Sequence, residues 1–257
     1  MAAALTHPRV ERALDELSSA SDRVWLAALS TGLGLTLVAA YPFAHTPSGV
    51  FWAYAGLLIR GGLYFWSGDA LRGRGGETIE TMFRIGLVAG LLEILVDWAL
   101  IHWVPTGRLV YLTGNDVVIL GSPIWMPLAW ACVIVELGYP ALRGYALLRR
   151  RMPPRTAAVG VSIAIGLLAG ITVGFYEYFA YRANWWKYEP ARVMIGDFCA
   201  LYIPVGEVFM FLAVLPIAAH ALAQPDRRQK AVIESGALFG VAIAGGYLLA
   251  YLALEGL

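Results

Sequence analysis

Residues 79–104 read IETMFRIGLVAGLLEILVDWALIHWV. The run is longer than the ~20 apolar residues a helix needs to cross a bilayer. Glu93 and Asp97 interrupt it near one end. A carboxylate at the centre of the hydrocarbon costs roughly 2.5 kcal/mol or more, so it persists where it faces a cavity, a partner or a substrate. The stretch therefore predicts a membrane helix and marks a functional position within it.

Six further runs of similar character cover 24–44, 50–68, 123–148, 157–181, 199–223 and 231–254. Hydrophobic residues make up 59% of the chain and charged ones 14%, against about 25% charged in a soluble domain. Mean hydropathy is +0.65. The expectation is an all-α, multi-pass membrane protein, a seven-transmembrane-helix bundle over residues 24–257, with no second domain. A net charge of +1 suggests no nucleic-acid partner. The partners expected are membrane lipid and an apolar small molecule.

Loop charges orient the bundle. Arg9, Arg12, Arg23, Arg72, Arg74, Arg149, Arg150, Arg151, Arg155, Arg227, Arg228 and Lys230 lie in the N-terminal segment or in the loops after spans 2, 4 and 6. The opposite side holds Arg108, Arg182, Lys187 and Arg192. Positive residues favour the cytoplasm, which predicts a cytoplasmic N-terminus and an outside C-terminus, in what is expected to be a bacterial cytoplasmic membrane. Residues 1–23 read as a short amphipathic cytoplasmic segment, with Val10, Leu14 and Leu17 at helical spacing among charges, or as a frayed polar tail. Charges through Asp22 and Arg23 argue against a signal peptide.

Residue counts exclude several chemistries. The only lysines, Lys187 and Lys230, lie in loops, so a retinal Schiff base has no anchor in a span. Four separated histidines do not make a di-iron site. Cys132 and Cys199 lack CxxC spacing and read as small packing residues. No metal site or cofactor is expected.

The acids recur in a pattern. Span 3 carries Gly86-x3-Gly90-x2-Glu93-x3-Asp97, and span 5 carries Gly170-x3-Gly174-x2-Glu177-x3-Tyr181. Spacings of three and four hold each set on one stripe, and paired glycines permit close helix approach in lipid. The segments downstream of these spans also correspond: Tyr111, then Gly121, Pro127 and Trp130 after span 3; Trp186 and Tyr188, then Gly196, Pro204 and Glu207 after span 5. This order predicts a duplicated helix pair, spans 3–4 and 5–6, with the residue three past each proline one turn deeper.

The stretch Trp186-Lys187-Tyr188-x-Pro190, Ile195-Gly196 and Pro204-Val205-Gly206-Glu207-Val208-Phe209-Met210-Phe211 resembles the repeat of the membrane lycopene cyclases, whose W-x-Y…G…P-x-E-E…F-F pattern opens a helix with acids facing the pocket. The small seven-span meroterpenoid cyclases are similar in size and in their dependence on intramembrane carboxylates. The segment from Gly121 to Trp130 is similar to membrane carotenoid hydratases. Gly206 stands where the first glutamate of the acid pair would be. The resemblance therefore implies an acid role for Glu207, with the second acid drawn from Glu93, Asp97 and Glu177.

Elementary chemistry leads to the same residues. A carboxylic acid that protonates an alkene or epoxide starts cyclisation with no metal or redox cofactor. A carboxyl taken out of water favours its neutral form, which suits a general acid, and aromatic faces stabilise a passing cation. Glu207 is the expected proton donor, while Glu93, Asp97 and Glu177 are expected to position, supply the second acid or take the final proton. Trp98, Trp125, Trp130, Tyr178, Tyr181, Trp186, Tyr188 and Tyr202 are the expected substrate-binding aromatics, against the alternative of an interfacial belt.

Other polar residues read more blandly. Arg60 lies within span 2 and needs an acid such as Glu136. Asp197 reads as a cap, His102 as interfacial, and Asn115 with Asp116 as turn formers after Gly114. Three functions compete: a cofactor-independent terpenoid or carotenoid cyclase, a hydratase or double-bond isomerase on the same scaffold, and a proton-coupled transporter. An inverted repeat and an interrupted helix would mark the last.

Overall fold

A computed structural model of the chain describes residues 2–113 and 116–256. Short helices α1 (Ala2–Leu5) and α2 (Pro8–Asp15) precede long ones: α3 (Ser19–Ala40), α4 (Gly49–Ala70) and α5 (Gly76–His102). Strands β1 (Leu109–Tyr111), β2 (Val118–Ile119) and β3 (Ser122–Pro123) lead into α6 (Met126–Leu148) and α7 (Pro154–Arg182). Strands β4 (Trp186–Tyr188), β5 (Met194–Ile195) and β6 (Cys199–Ala200) then lead into α8 (Tyr202–Phe211), α9 (Val214–Leu222) and α10 (Arg228–Leu254).

Among the described residues, six helices are long and apolar enough to cross a membrane: α3, α5, α6, α7, α8 joined with α9, and α10 with its leading turn. The chain is an α-helical membrane bundle. Helix α4, expected as a further span, is not among the six; Arg60 and its glycines, tyrosines and tryptophans dilute its apolar content. The long helices pack in the ring α3–α4–α5–α10–α8–α7, and α7 returns to α3. Helix α6 packs against α4, α5 and α7 and is the most buried of the apolar helices. In that ring α4 stands opposite α8, and α5 opposite α7.

The internal repeat is explicit in the element order. Helix–strand–hairpin–helix occurs as α5–β1–β2β3–α6 and again as α7–β4–β5β6–α8. Strands β1 and β4 pair antiparallel, Leu109 opposite Tyr188 and Tyr111 opposite Trp186, which joins the copies at one end of the bundle. The β2–β3 turn places both Leu120 (φ 54°) and Gly121 (φ 92°) in the left-handed region, as two-residue hairpins require.

Glycine contacts correct the register read from the sequence. A Cβ on Gly86 would come 2.5 Å from Ala131 Cα, and one on Gly90 2.6 Å from Pro127 Cα. In the second copy Gly166 meets Val208 O at 2.8 Å and Gly170 meets Pro204 O at 2.9 Å, whereas Gly174 has nothing within 4 Å. The helix-facing pair in α7 is thus Gly166 and Gly170, one turn earlier than expected. Glu177 corresponds to Asp97 rather than to Glu93, and Val173 takes the place of Glu93. Trp130 and Glu207 still correspond, each three residues past its proline.

Two prolines shape the interior. Pro140 has no N–H for the carbonyl of Glu136, four residues back, and Trp25 Nε1 donates to that oxygen at 3.3 Å. Pro216 likewise cannot bond Leu212, and the break between α8 and α9 falls at Leu212–Ala213.

The N-terminal segment is helical. Val10 and Leu14 of α2 are buried against α6 and α9. Arg9 pairs with Asp226 at 2.6 Å and Arg149 with Asp15 at 2.7 Å, so the apolar face of α2 docks on the bundle end rather than on lipid.

Candidate active site

A cavity of about 130 Å³ lies between α6 and the surrounding helices, toward the end of the bundle that carries the strands. Glu93, Asp97, Glu177 and Glu207 all line it. Glycine-seated helices bring in three of them, and a proline-led helix start brings in the fourth. Gly86 and Gly90 bring α5 against the first turns of α6, so the next two turns of α5 open onto the space beyond, carrying Glu93 and Asp97. Gly166 and Gly170 do the same for α7 against α8, and Glu177 follows. Glu207 is a turn inside α8, after Pro204.

All four carboxyls are buried, with exposures of 3% for Glu93 and Asp97, 6% for Glu177 and 2% for Glu207. Their partners differ. Asp97 accepts hydrogen bonds from the Tyr111 hydroxyl and from Ser122 Oγ at 2.6 Å. Glu177 accepts from Trp186 Nε1 at 2.6 Å, with Tyr188 alongside. Glu207 Oε1 accepts from the Tyr247 hydroxyl at 2.6 Å. Glu93 lies against Asp97 and Trp130. Among the described residues, Glu93 Oε2 and Glu207 Oε2 are buried without a hydrogen-bond partner. Buried polar atoms rarely lack partners, and those that do call for an explanation.

Among the described residues, the one cation on the cavity wall is engaged. Arg60 Nη1 meets Glu136 Oε1 at 2.6 Å, and Tyr176 donates to the other oxygen of Glu136 at 3.0 Å. Gly32 makes room for Arg60, since a Cβ there would collide with Arg60 Cδ.

Of the eight expected aromatics, Trp125, Trp130, Trp186 and Tyr188 line the cavity. The other four stand apart from it. Trp98 packs on His102 and Trp103. Tyr178 and Tyr181 pack on Phe198. Tyr202 is buried, but its hydroxyl donates to Gly107 O at 2.8 Å. These four neighbour the site along the chain and point away from it.

The wall has further members. Trp125, Trp185 and Trp186 have mutual ring distances of 6.1 to 6.4 Å, and Tyr111 joins Trp186 at 6.1 Å. Together they roof the cavity where β1 pairs with β4. Removal from water pushes the Tyr111 and Tyr188 phenols well above their ordinary range, and the neighbouring Asp97 and Glu177 add to the effect. Trp52 and Tyr247 also line the cavity, and sequence reasoning passed over both. For Trp52 a signal was present, since Trp52, Gly56 and Arg60 fall at intervals of four on one stripe of α4. Tyr247 is marked only by the close approach of its neighbour Gly246 to Gly206, where a Cβ would lie 2.7 Å from the Gly206 O.

Of the expected turn formers Asn115 and Asp116, Asn115 lies outside the described residues, as does Gly114 before it. Asp116 accepts from Tyr54 at 2.9 Å and Trp125 Nε1 at 2.7 Å, which ties α4 to the start of α6. Among the described residues no group of three His, Cys, Asp or Glu side chains is placed to hold a metal ion.

Residues 94–254 match the family described as a domain of unknown function, DUF6989, and the chain belongs to that family. No curated protein and no solved structure matches the chain.

Proposed function

We propose that this DUF6989 family member is an integral membrane enzyme that rearranges an unsaturated prenyl-type substrate by proton transfer from a buried carboxylic acid. The observation that carries this reading is the pair of unpartnered carboxyl oxygens, on Glu93 and Glu207, in a cavity roofed by tryptophans inside an apolar bundle.

Glu207 is the donor. Tyr247 holds one of its oxygens and the other is free to deliver a proton to an alkene carbon or an epoxide oxygen. The cation formed is attacked by a neighbouring double bond, which makes a carbon–carbon bond and moves the positive charge along the chain. Trp125, Trp130 and Trp186 stabilise that charge through their ring faces. Asp97, which already accepts two hydrogen bonds, takes the final proton and restores an alkene. Substrate and product then have the same mass. The cavity is close in size to the roughly 150 Å³ that accepts a benzene ring. It suits the reacting end of a prenyl compound better than a whole carotenoid, the remainder extending into lipid. Capture of the cation by water would make the same site a hydratase.

Seven crossings are proposed, with α4 completing the ring. The excess of Arg and Lys at the α2 end supports a cytoplasmic N-terminus and an outside C-terminus, in a bacterial cytoplasmic membrane. The cavity then opens toward the outer leaflet.

A proton-coupled transporter is the second reading, favoured by the break between α8 and α9. Transporter sites place the ends of broken helices at the substrate. Here Pro216 accounts for the break, and no residue from 208 to 216 lines the cavity. The repeat runs in parallel, α5 and α7 pointing the same way.

The deciding experiment expresses wild type, Glu207→Gln and empty vector in hosts that accumulate linear prenyl compounds, and analyses extracts by chromatography and mass spectrometry. A new product of unchanged mass, absent with Glu207→Gln, supports proton-initiated cyclisation or isomerisation. A product heavier by one water selects the hydratase. An unchanged extract across substrates moves transport to first place.

A further inference from the structure

The cavity has a second polar feature that proton transfer leaves unused. Trp52 lines it from α4, and its buried Nε1 has no partner among the described residues. An indole nitrogen is a donor only. The other tryptophan N–H groups nearby are spoken for: Trp125 by Asp116, Trp185 by Gly49 O at 2.7 Å, Trp186 by Glu177.

The position of this donor is specific. Trp52, Gly56 and Arg60, at intervals of four, form one stripe of α4 on the cavity wall, spanning about 12 Å at 1.5 Å per residue. Gly56 leaves that stripe open between the two larger side chains. Arg60 is committed to Glu136 and, through Nε, to Gly56 O at 3.3 Å. Trp52 is thus the uncommitted donor of the stripe. In the helix ring α4 stands opposite α8, which carries Glu207. One wall therefore offers an N–H, and the wall opposite offers the Glu207 carboxyl.

We infer that the ligand of this cavity carries an uncharged oxygen acceptor, a carbonyl, ether or hydroxyl oxygen, which receives the Trp52 N–H while its unsaturated part faces Glu207. Trp52 is then a specificity-determining residue, and a pure hydrocarbon is a poor ligand. A hydrocarbon would bury the indole N–H unpaired, and a site with an unpaired polar group discriminates strongly. The wall's one cation points the same way: among the described residues Arg60 is already paired with Glu136, so an anionic head would find no free counter-charge, whereas a neutral oxygen needs only the one donor. The inference rests on the proposed function only in taking the cavity as the substrate site.

The test compares two probes on the full chain in lipid nanodiscs by equilibrium dialysis, with empty nanodiscs correcting for partition into lipid. One probe is geranylacetone. The other is the hydrocarbon of the same skeleton with a methylene in place of the carbonyl. Wild type is expected to prefer the ketone on the order of tenfold. Trp52→Phe keeps an aromatic ring without the N–H and is expected to bind both probes equally, with hydrocarbon affinity retained as the sign of an intact cavity. Trp52→His, which restores a ring N–H, is expected to recover part of the preference. Equal binding of the two probes by wild type, binding of neither, or a preference that survives in Trp52→Phe overturns the inference. A chain that discriminates but converts no prenyl substrate keeps it and overturns proton transfer; one that converts a hydrocarbon without discriminating does the reverse.

Discussion

Asp97 and Glu177 occupy equivalent places in two copies of one unit, each seven residues past the glycine that seats its helix against the next. Each accepts a hydrogen bond from the strand that follows its own helix, Asp97 from Tyr111 in β1 and Glu177 from Trp186 in β4. Tyr111 and Trp186 are also register partners across the β1–β4 pair. The two acids are therefore held by a single two-stranded element.

Glu207→Gln retains the shape of the side chain and can still accept from Tyr247. Turnover is expected to fall by about 10²–10⁴-fold, the usual worth of a general acid. Thermal unfolding in detergent should change little, because the Tyr247 bond survives. Wild-type turnover in a folded Glu207→Gln protein would remove Glu207 from the mechanism.

Gly90→Leu and Gly174→Leu make a matched pair. The first forces a side chain into Pro127 and is expected to destabilise the bundle by roughly 1–3 kcal/mol or more. The second has open space around it and should be near neutral. Size-exclusion profiles and unfolding temperatures of both variants would check the corrected helix register. Equal sensitivity at the two positions would contradict it.

The Arg60–Glu136 pair is buried on both sides. Arg60→Met alone leaves an isolated carboxylate and is expected to cost about 3–5 kcal/mol. Arg60→Met with Glu136→Leu should recover most of that loss. A double-mutant cycle on unfolding free energy reads the difference, and strictly additive effects would rule the pairing out.

Trp25→Phe removes the donor to the Glu136 carbonyl that Pro140 leaves unpaired. The expected cost is about 1 kcal/mol. In a Pro140→Ala background the helix can satisfy that carbonyl itself, so the cost should shrink toward zero. A Trp25→Phe effect of the same size in both backgrounds would show that the indole acts only by packing.

Burial first, and then the neighbouring Glu177, raise the Tyr188 phenol above its ordinary value near 10. The unfolded chain loses this proton near pH ~10, while the folded chain keeps it. The associated stability is complete below that pH and is lost as pH rises through the folded value. Tyr188→Phe should therefore flatten the fall of the unfolding midpoint in alkali. Phenolate absorbance should show fewer tyrosines titrating near pH ~10 in the native protein than after denaturation.

The membrane class, the long helices and the four acids were legible in the sequence because apolar runs and intramembrane charge carry strong costs. The Arg60–Glu136 partnership was legible for the same reason. The repeat was legible in its order but not in its register. Gly166, Gly170 and Gly174 are all spaced by four, so three candidates share one stripe, and only contact with Pro204 and Val208 selects two of them. The aromatic wall was half legible. Trp98, Tyr178 and Tyr181 neighbour the acids along their helices, but side chains one or a few residues away point elsewhere. Trp52 came from a helix that holds no acid of the site, and its role depends on what stands across the cavity.

A frame built from two like halves around a half-turn would let a ligand enter in either of two senses with similar contacts. Two positions forbid that here. Val173 stands where its counterpart is Glu93, and Trp130 stands where its counterpart is Glu207. The β1–β4 seam keeps the halves aligned while these substitutions leave each half with a different lining, Glu93 with Trp130 on one side and Val173 with Glu207 on the other, so the chamber has two chemically distinct ends despite its like-built frame.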